Sequence, residues 1–223
     1  MIFFKFPRTP HIFVLPGINI RNDKVLASKE ADDFFHNIIS VEEKVDGANV
    51  GFSIDENDTL KIQNRGNYLS IGEHPQFGPI WNWGYERINL FVKHLEKRYI
   101  LFGEWCFAQH SIHYSALPQW LLGFDIYDKT QKRFLARSAR DLIFKKLDVI
   151  AVPLIGEKTF SKNDLIRIVE QRYSQLGGKL EGIYLRLESD SQLLKRAKLV
   201  RQDFIQDIDN HWSNRILKTN DLL

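Results

Sequence analysis

The spacing of apolar residues changes period several times along this chain, and each change marks a predicted element. Between residues 38 and 63, apolar and polar positions form short runs bounded by turn formers. This predicts a meander of three strands, Ile38 to Lys44, Ala48 to Ile54 and Leu60 to Gln63, the last two joined by Asp55-Glu56-Asn57-Asp58. The period then lengthens: Ile88, Phe91, Val92 and Leu95 stand at i, i+3, i+4 and i+7, which predicts a helix over Tyr85 to Arg98. Strands are predicted at Tyr99 to Phe107 and Trp120 to Tyr127. Capping signatures of the S-x-x-D kind predict helix starts at Ser138 (with Asp141) and Ser161 (with Asp164), the second helix ending before Gly177-Gly178. Glu181 to Leu187 and Gln192 to Arg201 read as a hairpin across Glu188-Ser189-Asp190-Ser191. A last helix is predicted over Asp203 to Arg215, with Phe204, Ile205, Ile208 and Trp212 covering the core. Strands in clusters with helices between them predict an α+β fold with mainly antiparallel sheets. There is no repeat, low-complexity tract or linker, so residues 1–223 read as a single domain.

Composition narrows the class. Hydrophobic residues make up 43% and aromatics 13% of the 223 residues, which supports a substantial core and argues against disorder. The net charge of +3 permits a phosphate-bearing partner without requiring one. A single cysteine, Cys106, excludes an intrachain disulfide and a multi-cysteine zinc cluster. The N-terminal run is broken by Pro7 too early for a signal peptide, and no apolar run approaches a membrane span, so a cytoplasmic location away from membranes is expected.

Charge then appears where a buried strand would not tolerate it unpaired. Glu43-Lys44-Val45-Asp46-Gly47-Ala48-Asn49 sits between two apolar runs, where burial disfavours the ammonium of Lys44 and is expected to lower its pKa. Such a lysine can serve as a nucleophile. Arg65-Gly66 follows the third strand, Glu104 interrupts Leu101-Phe102-Gly103-Glu104-Trp105, and Phe124-Asp125 lies within Leu121 to Tyr127. Glu181-Gly182 opens another strand, and Arg196 and Lys198 share one face of the last. Buried charges must pair or bind ligands. If these segments converge, they form one site with cations for phosphates, carboxylates for a metal or sugar hydroxyls, and an aromatic for a base.

In this order the segments resemble the motif set of the covalent nucleotidyltransferases, the superfamily of ligases and mRNA capping enzymes. K-x-D-G-x-N matches at Lys44, Asp46, Gly47 and Asn49; an arginine before glycine at Arg65; F-G-E at Phe102 to Glu104; and the stacking aromatic at Phe124. E-G-x-x-x-[RK] matches from Glu181 to Arg186, and the usual K-x-K appears as Arg196-Ala197-Lys198. DNA ligases and capping enzymes usually carry arginine where this chain has Asn49, which instead resembles RNA ligases of the phage and RNA-editing type. The whole chain, including Pro7-Arg8-Thr9-Pro10-His11 and His110-Ser111-Ile112-His113-Tyr114, is similar to small bacterial RNA ligase-family proteins. The 22 residues after Arg201 leave no room for an OB-fold domain.

The resemblance implies an ATP-grasp-like adenylation domain, ATP with Mg2+ or Mn2+, and RNA carrying 5′-phosphate and 3′-hydroxyl ends. It implies that Lys44 forms a lysyl-AMP, that AMP passes to the RNA 5′-phosphate, and that a 3′-hydroxyl then attacks. Glu181 and Glu104 would hold the metal, with Glu104 also accepting from ribose hydroxyls. Glu43 would help to fix adenine or stand as an exposed strand end, and Phe124 would stack on the base. Asp46 either orients Lys44 or builds the turn. Asn49 would contact the phosphate or the 3′ end, Arg65 the ribose or phosphate, and Lys198 the α-phosphate. Arg196 would bind the nucleotide, unless Lys195 takes that part from the opposite face. Arg186 would bind nucleic acid or triphosphate, or face solvent. His110 and His113 fit packing or RNA contact better than metal, and Arg8, Thr9 and His11 would border the site. A partner protein in RNA repair is compatible with this reading. The alternatives are a DNA ligase or guanylyltransferase of the same superfamily, or a relative that binds nucleic acid without catalysis. The paired acidic positions argue against the last, since a phosphate binder gains nothing from buried carboxylates.

Overall fold

The computed structural model describes residues 3–15, 24–202, 204 and 217–223. The helix predicted over Asp203 to Arg215 falls almost wholly outside these residues. The chain enters through α1 (Ser28–His36) and forms β1 (Ile39–Lys44), β2 (Ala48–Ile54) and β3 (Leu60–Asn64), then α2 (Ile80–Glu86) and α3 (Ile88–His94). β4 (Tyr99–Trp105), β5 (Leu121–Asp128) and the short β6 (Arg133–Phe134) follow, then α4 (Arg137–Leu147), β7 (Ile150–Ala151) and β8 (Leu154–Lys158). α5 (Lys162–Gln171), β9 (Gly182–Glu188) and β10 (Leu193–Val200) complete the order.

These strands make two sheets. One has the order β10-β9-β1-β8; the other runs β3-β2-β4-β5-β6, with β7 added in parallel to β5. All other pairings between named strands are antiparallel, as the clustering of strands predicts. The α+β expectation therefore holds at the level of mixed helices and antiparallel sheets.

The first sheet has two unlike faces because side chains alternate along a strand. Ile39, Val41, Ile183, Leu185, Leu187, Ala197 and Leu199 turn toward Phe34 of α1 and Leu165 and Val169 of α5, forming one core. The alternate positions Ser40, Glu42, Lys44, Tyr184, Arg186, Arg196 and Lys198 carry polar atoms on the opposite face. The second sheet packs Val50, Phe52, Leu60, Ile62, Leu101 and Trp105 against Ile80, Trp83, Phe91 and Leu95 of the α2–α3 layer in a separate core.

Buried ion pairs tie the polar face to the second sheet. Arg186 Nη1 donates to Asp125 Oδ1 at 2.7 Å and to the Phe124 carbonyl at 3.1 Å, and its Nε donates to Glu188 at 2.7 Å. Arg140 of α4 donates to both Glu42 oxygens, at 2.6 and 3.1 Å, and to the same Phe124 carbonyl at 2.7 Å. Arg196 donates to Asp125 Oδ2 at 3.1 Å while its guanidinium lies 3.9 Å from the Phe134 ring centroid. Arg186 is fully buried, so it does not face solvent, contrary to one of the readings made from its motif position.

Several element boundaries depart from the sequence pattern for identifiable reasons. The long helix predicted over Tyr85 to Arg98 is broken at Arg87 (φ −107°, ψ 7°), which closes α2 and opens α3. Its guanidinium is held by Asp148 at 2.9 Å and stacks 4.4 Å from the Trp83 ring. α4 starts at Arg137, so Ser138 lies inside the first turn, and the Arg137 N–H is capped by Glu188, 51 residues distant. α5 has the predicted box: Asp164 N–H donates to Ser161 Oγ at 3.2 Å and Ser161 N–H to Asp164 Oδ2 at 3.0 Å. The pattern reading missed α1 and β8, the latter because its residues are half-buried or exposed.

Removing one partner of a buried ion pair leaves an uncompensated charge and typically costs about 3–5 kcal/mol. Arg186→Ala is therefore expected to lower unfolding free energy in urea by about that amount, whereas Lys195→Ala, whose Asp33 ion pair is exposed, is expected to change it by under about 1 kcal/mol.

Candidate active site

Where the ion-pair network stops, the two sheets part and a cavity of about 160 Å³ opens between them. Lys44, Glu43, Asn49, Arg65, Glu104, Phe124 and Lys198, all singled out from sequence, line it. So do Phe6, Thr9, Tyr184 and Val152, of which only Thr9 was anticipated. Asp46, Glu181 and Arg196 are not part of the lining. Arg196 pairs with Asp125 in the sheet-to-sheet network, and Lys195 points away to pair with Asp33.

The centre of the site is the contact of Lys44 with Glu181. Lys44 ends β1 directly opposite Gly182, which brings the preceding Glu181 alongside it. The two side chains meet at 2.5 Å between Nζ and Oε1. Glu42 does not compete for Lys44, since Arg140 holds it. Burial by itself disfavours the Lys44 ammonium, but Glu181 and Glu104 outweigh it and the lysine stands above its ordinary pKa. The lowered value expected from sequence is thus reversed, because the nearest charges are carboxylates. Burial pushes the Glu181 carboxyl up to about 8 despite Lys44, and the Glu104 carboxyl up to about 7. Glu181 Oε2 and Asn49 Oδ1 are both buried with no hydrogen-bond partner among the described residues. Buried oxygens are normally satisfied, so two orphans at one site mark a place for a ligand.

The surrounding residues are held from behind. Glu43 accepts from Ser174 Oγ at 2.6 Å and from Gln175 N–H at 2.9 Å, and it is buried, not an exposed strand end. Asp46 makes no hydrogen bond to Lys44. Its Oδ2 accepts from the N–H groups of Ser111 and Ile112 at 2.8 and 3.0 Å, and its own N–H donates to the Tyr114 hydroxyl at 2.9 Å. The His110 to Tyr114 segment is therefore anchored to the turn that carries Lys44. Gly47 does not adopt a positive φ; it is needed because a Cβ there would lie 2.7 Å from the Trp105 carbonyl, while its N–H donates to Glu104 at 3.1 Å. His110 Nε2 lies 3.1 Å from Gln76 Oε1, and His113 pairs with Asp221 at 3.1 Å. No group of three or more His, Cys, Asp or Glu side chains among the described residues is placed to hold a metal.

A half-buried lysine, the carboxyl it meets, further cations and an aromatic thus gather at one cleft between antiparallel sheets. The comparisons agree in family. The chain belongs to the RNA ligase family, whose model matches residues 37–200. It is similar in fold to Naegleria gruberi RNA ligase. One point mutant, solved with AMP and Mn, superposes with a TM-score of 0.61 at 16% identity, covering 80% of this chain and 54% of that one. A second, solved with ATP and Mn, gives 0.59 at 15% identity over 93% and 64%. This chain thus spans little more than half the length of the solved ligases it matches. No curated protein matches it in sequence.

The two raised carboxyls set a pH dependence. Between about pH 4.5 and 8 the folded chain holds protons on Glu104 and Glu181 that the unfolded chain has lost, so stability falls as pH rises through that window. In metal-free buffer the urea midpoint is expected to decline from about pH 6 to about pH 9, and to decline less in Glu181→Gln, which has no proton to lose. Equal declines in the two proteins would contradict this assignment.

Proposed function

We propose that this chain is an ATP-dependent RNA ligase that forms a covalent lysyl-AMP on Lys44, passes AMP to an RNA 5′-phosphate and seals it to a 3′-hydroxyl. The observation that carries this reading is the Lys44–Glu181 contact at 2.5 Å inside a cleft lined by Glu43, Asn49, Arg65, Glu104, Phe124 and Lys198. Family membership supports it, and so does the fold shared with ligases solved with ATP or AMP and Mn.

The donor set fits a hard divalent cation. Mg2+ and Mn2+ prefer oxygen ligands, and Mg2+ is usually held by one or two carboxylates with phosphate oxygens and water completing the shell. Glu181, with its unpartnered Oε2, and Glu104 match that requirement without a third protein ligand. A metal held there would supply charge neutralisation at the phosphoryl oxygens.

The chain's own groups do the rest. Lys44 Nζ attacks the α-phosphorus; the N–P bond forms, the bond to the bridging oxygen breaks and pyrophosphate leaves. Glu181 Oε1, which accepts from Nζ, is placed to take the proton that the ammonium must lose, a transfer that requires its carboxyl to be ionised. Lys198 and Arg65 balance charge on the phosphates, and Glu43, held by Ser174, presents a fixed acceptor at the base end. Phe124, whose carbonyl is clamped by two arginines, offers its ring to the purine. In-line positioning and charge neutralisation account for most of the acceleration in phosphoryl transfer.

Intact mass after incubation with ATP and Mg2+ tests the reading. Wild type is expected to gain one AMP and Lys44→Ala none; an undiminished adduct on Lys44→Ala would overturn it, and labelling by GTP in preference to ATP would move the chain to the guanylyltransferases. Phe124→Ala is expected to raise the KM for ATP by about tenfold, from a stacking contribution of about 1–3 kcal/mol, with smaller effect on kcat.

A further inference from the structure

The segment before α1 carries no motif of the reaction just described, yet it reaches the cleft. Lys198 N–H donates to the Pro10 carbonyl at 2.9 Å, and Ile12 N–H donates to the Lys198 carbonyl at 2.9 Å. The chain is therefore laid along β10 with both backbone groups of Lys198 engaged. It is held in turn by His11 N–H to the Lys24 carbonyl at 2.8 Å and Leu26 N–H to the His11 carbonyl at 2.9 Å. His11 is buried and its side chain takes no part in the cleft lining.

This strap delivers two side chains. Phe6 is buried, meets the Phe124 ring edge-on at 5.2 Å and closes the wall beside the base end. Thr9, the residue before Pro10, enters the cavity that Lys198 also lines. Across β9 and β10, Lys198 is the register partner of Tyr184, so the Tyr184 phenol lies on the same face of the sheet. Burial pushes that phenol up to about 12, so it stays protonated; the Thr9 hydroxyl beside it draws it partly back. The Tyr184 hydroxyl is buried and lacks a well-aligned hydrogen-bond partner among the described residues. The two hydroxyls thus lie within reach of each other, in a poorly aligned contact, in the cleft that Lys198 also lines.

Resting on the ligase reading above, we propose that Thr9 is a further substrate-binding residue: its hydroxyl donates to the phosphoryl oxygen that Lys198 neutralises, and the Phe6–Ile12 strap exists to place both. The chemistry fits. A threonine hydroxyl donates one hydrogen bond, and one made to an anionic oxygen is about twice as strong as a neutral one. Its backbone is fixed one residue from a strand pairing, so the contact needs little ordering on binding.

The experiment compares Thr9→Val, which keeps the shape and removes the hydroxyl, with Thr9→Ser, which restores it. Adenylate formation with ATP and Mg2+ is expected to slow about tenfold or more in Thr9→Val and to recover in Thr9→Ser, with the urea midpoint of both unchanged. The same factor is expected with 2′-deoxy-ATP. Wild-type speed in Thr9→Val would overturn the proposal; a loss confined to ATP, absent with 2′-deoxy-ATP, would place the contact on ribose and overturn it also. Equilibrium ATP binding to Lys44→Ala with and without Thr9→Val separates this from the ligase reading: weaker binding in the double variant supports Thr9 whether or not an adduct forms, and equal binding refutes it.

Discussion

Everything in this chain depends on the buried ion pairs that cross between the two sheets. Arg186 and Arg196 from one sheet share the two oxygens of Asp125 in the other, and Arg140 reaches from α4 to Glu42. Each sheet has its own apolar core against its own helices. What remains between them is the polar face of the first sheet, set against an aromatic cluster of Phe102, Phe124 and Phe134 from the second and Phe6 from the N-terminal segment. A buried pair is not a strong source of net stability, because desolvation offsets much of the attraction. It does select one arrangement, since any shift leaves a charge unpaired. The network therefore acts as a register pin at one end of the interface and leaves the other end open as a cleft.

That division explains how the same sheet face holds structural and reactive charges together. Glu42 and Lys44 are two residues apart on β1 and share a face, yet one is saturated by arginine and the other is not. With its nearer glutamate occupied, Lys44 turns to Glu181. Two arginines also converge on the Phe124 carbonyl, so the strand position that carries the aromatic is fixed by the network and not by the ring. Most of the charged cleft residues stand on strands, while their supports come from distant parts of the chain, which is how a site is kept rigid.

A second set of contacts holds the far side of the cleft. Asp46 grips the Ser111–Ile112 backbone, and Asn220 from the last described residues accepts from Tyr114 N–H at 2.8 Å and donates to the Cys106 carbonyl at 2.7 Å. An irregular loop is thereby fixed without secondary structure of its own, its backbone groups satisfied by two buried side chains. Together with the strap on β10, this means that three segments lacking regular structure reach the surroundings of Lys44.

The sequence by itself determined the strands, because their apolar alternation is local, and it determined most of the cleft, because charge inside a strand is costly unless used. Lys44, Glu104, Glu181 and Lys198 were legible for that reason. The capping box of α5 was legible too, since both its partners lie within one turn. Only the tertiary structure decided what each charge meets. Arg186 and Arg196 are marked by their motifs, but the sequence does not show that Asp125, 61 and 71 residues away, makes them ties between sheets. The Lys44 pKa was misjudged in the same way: burial is foreseeable from a strand, whereas the two carboxylates that outweigh it come from other strands. Tyr184 stayed silent in sequence because a hydroxyl has no charge to betray it, and Thr9 was marked only as a border of the site; the fold alone, by laying the N-terminal segment along β10, brings both into the cleft that Lys198 lines.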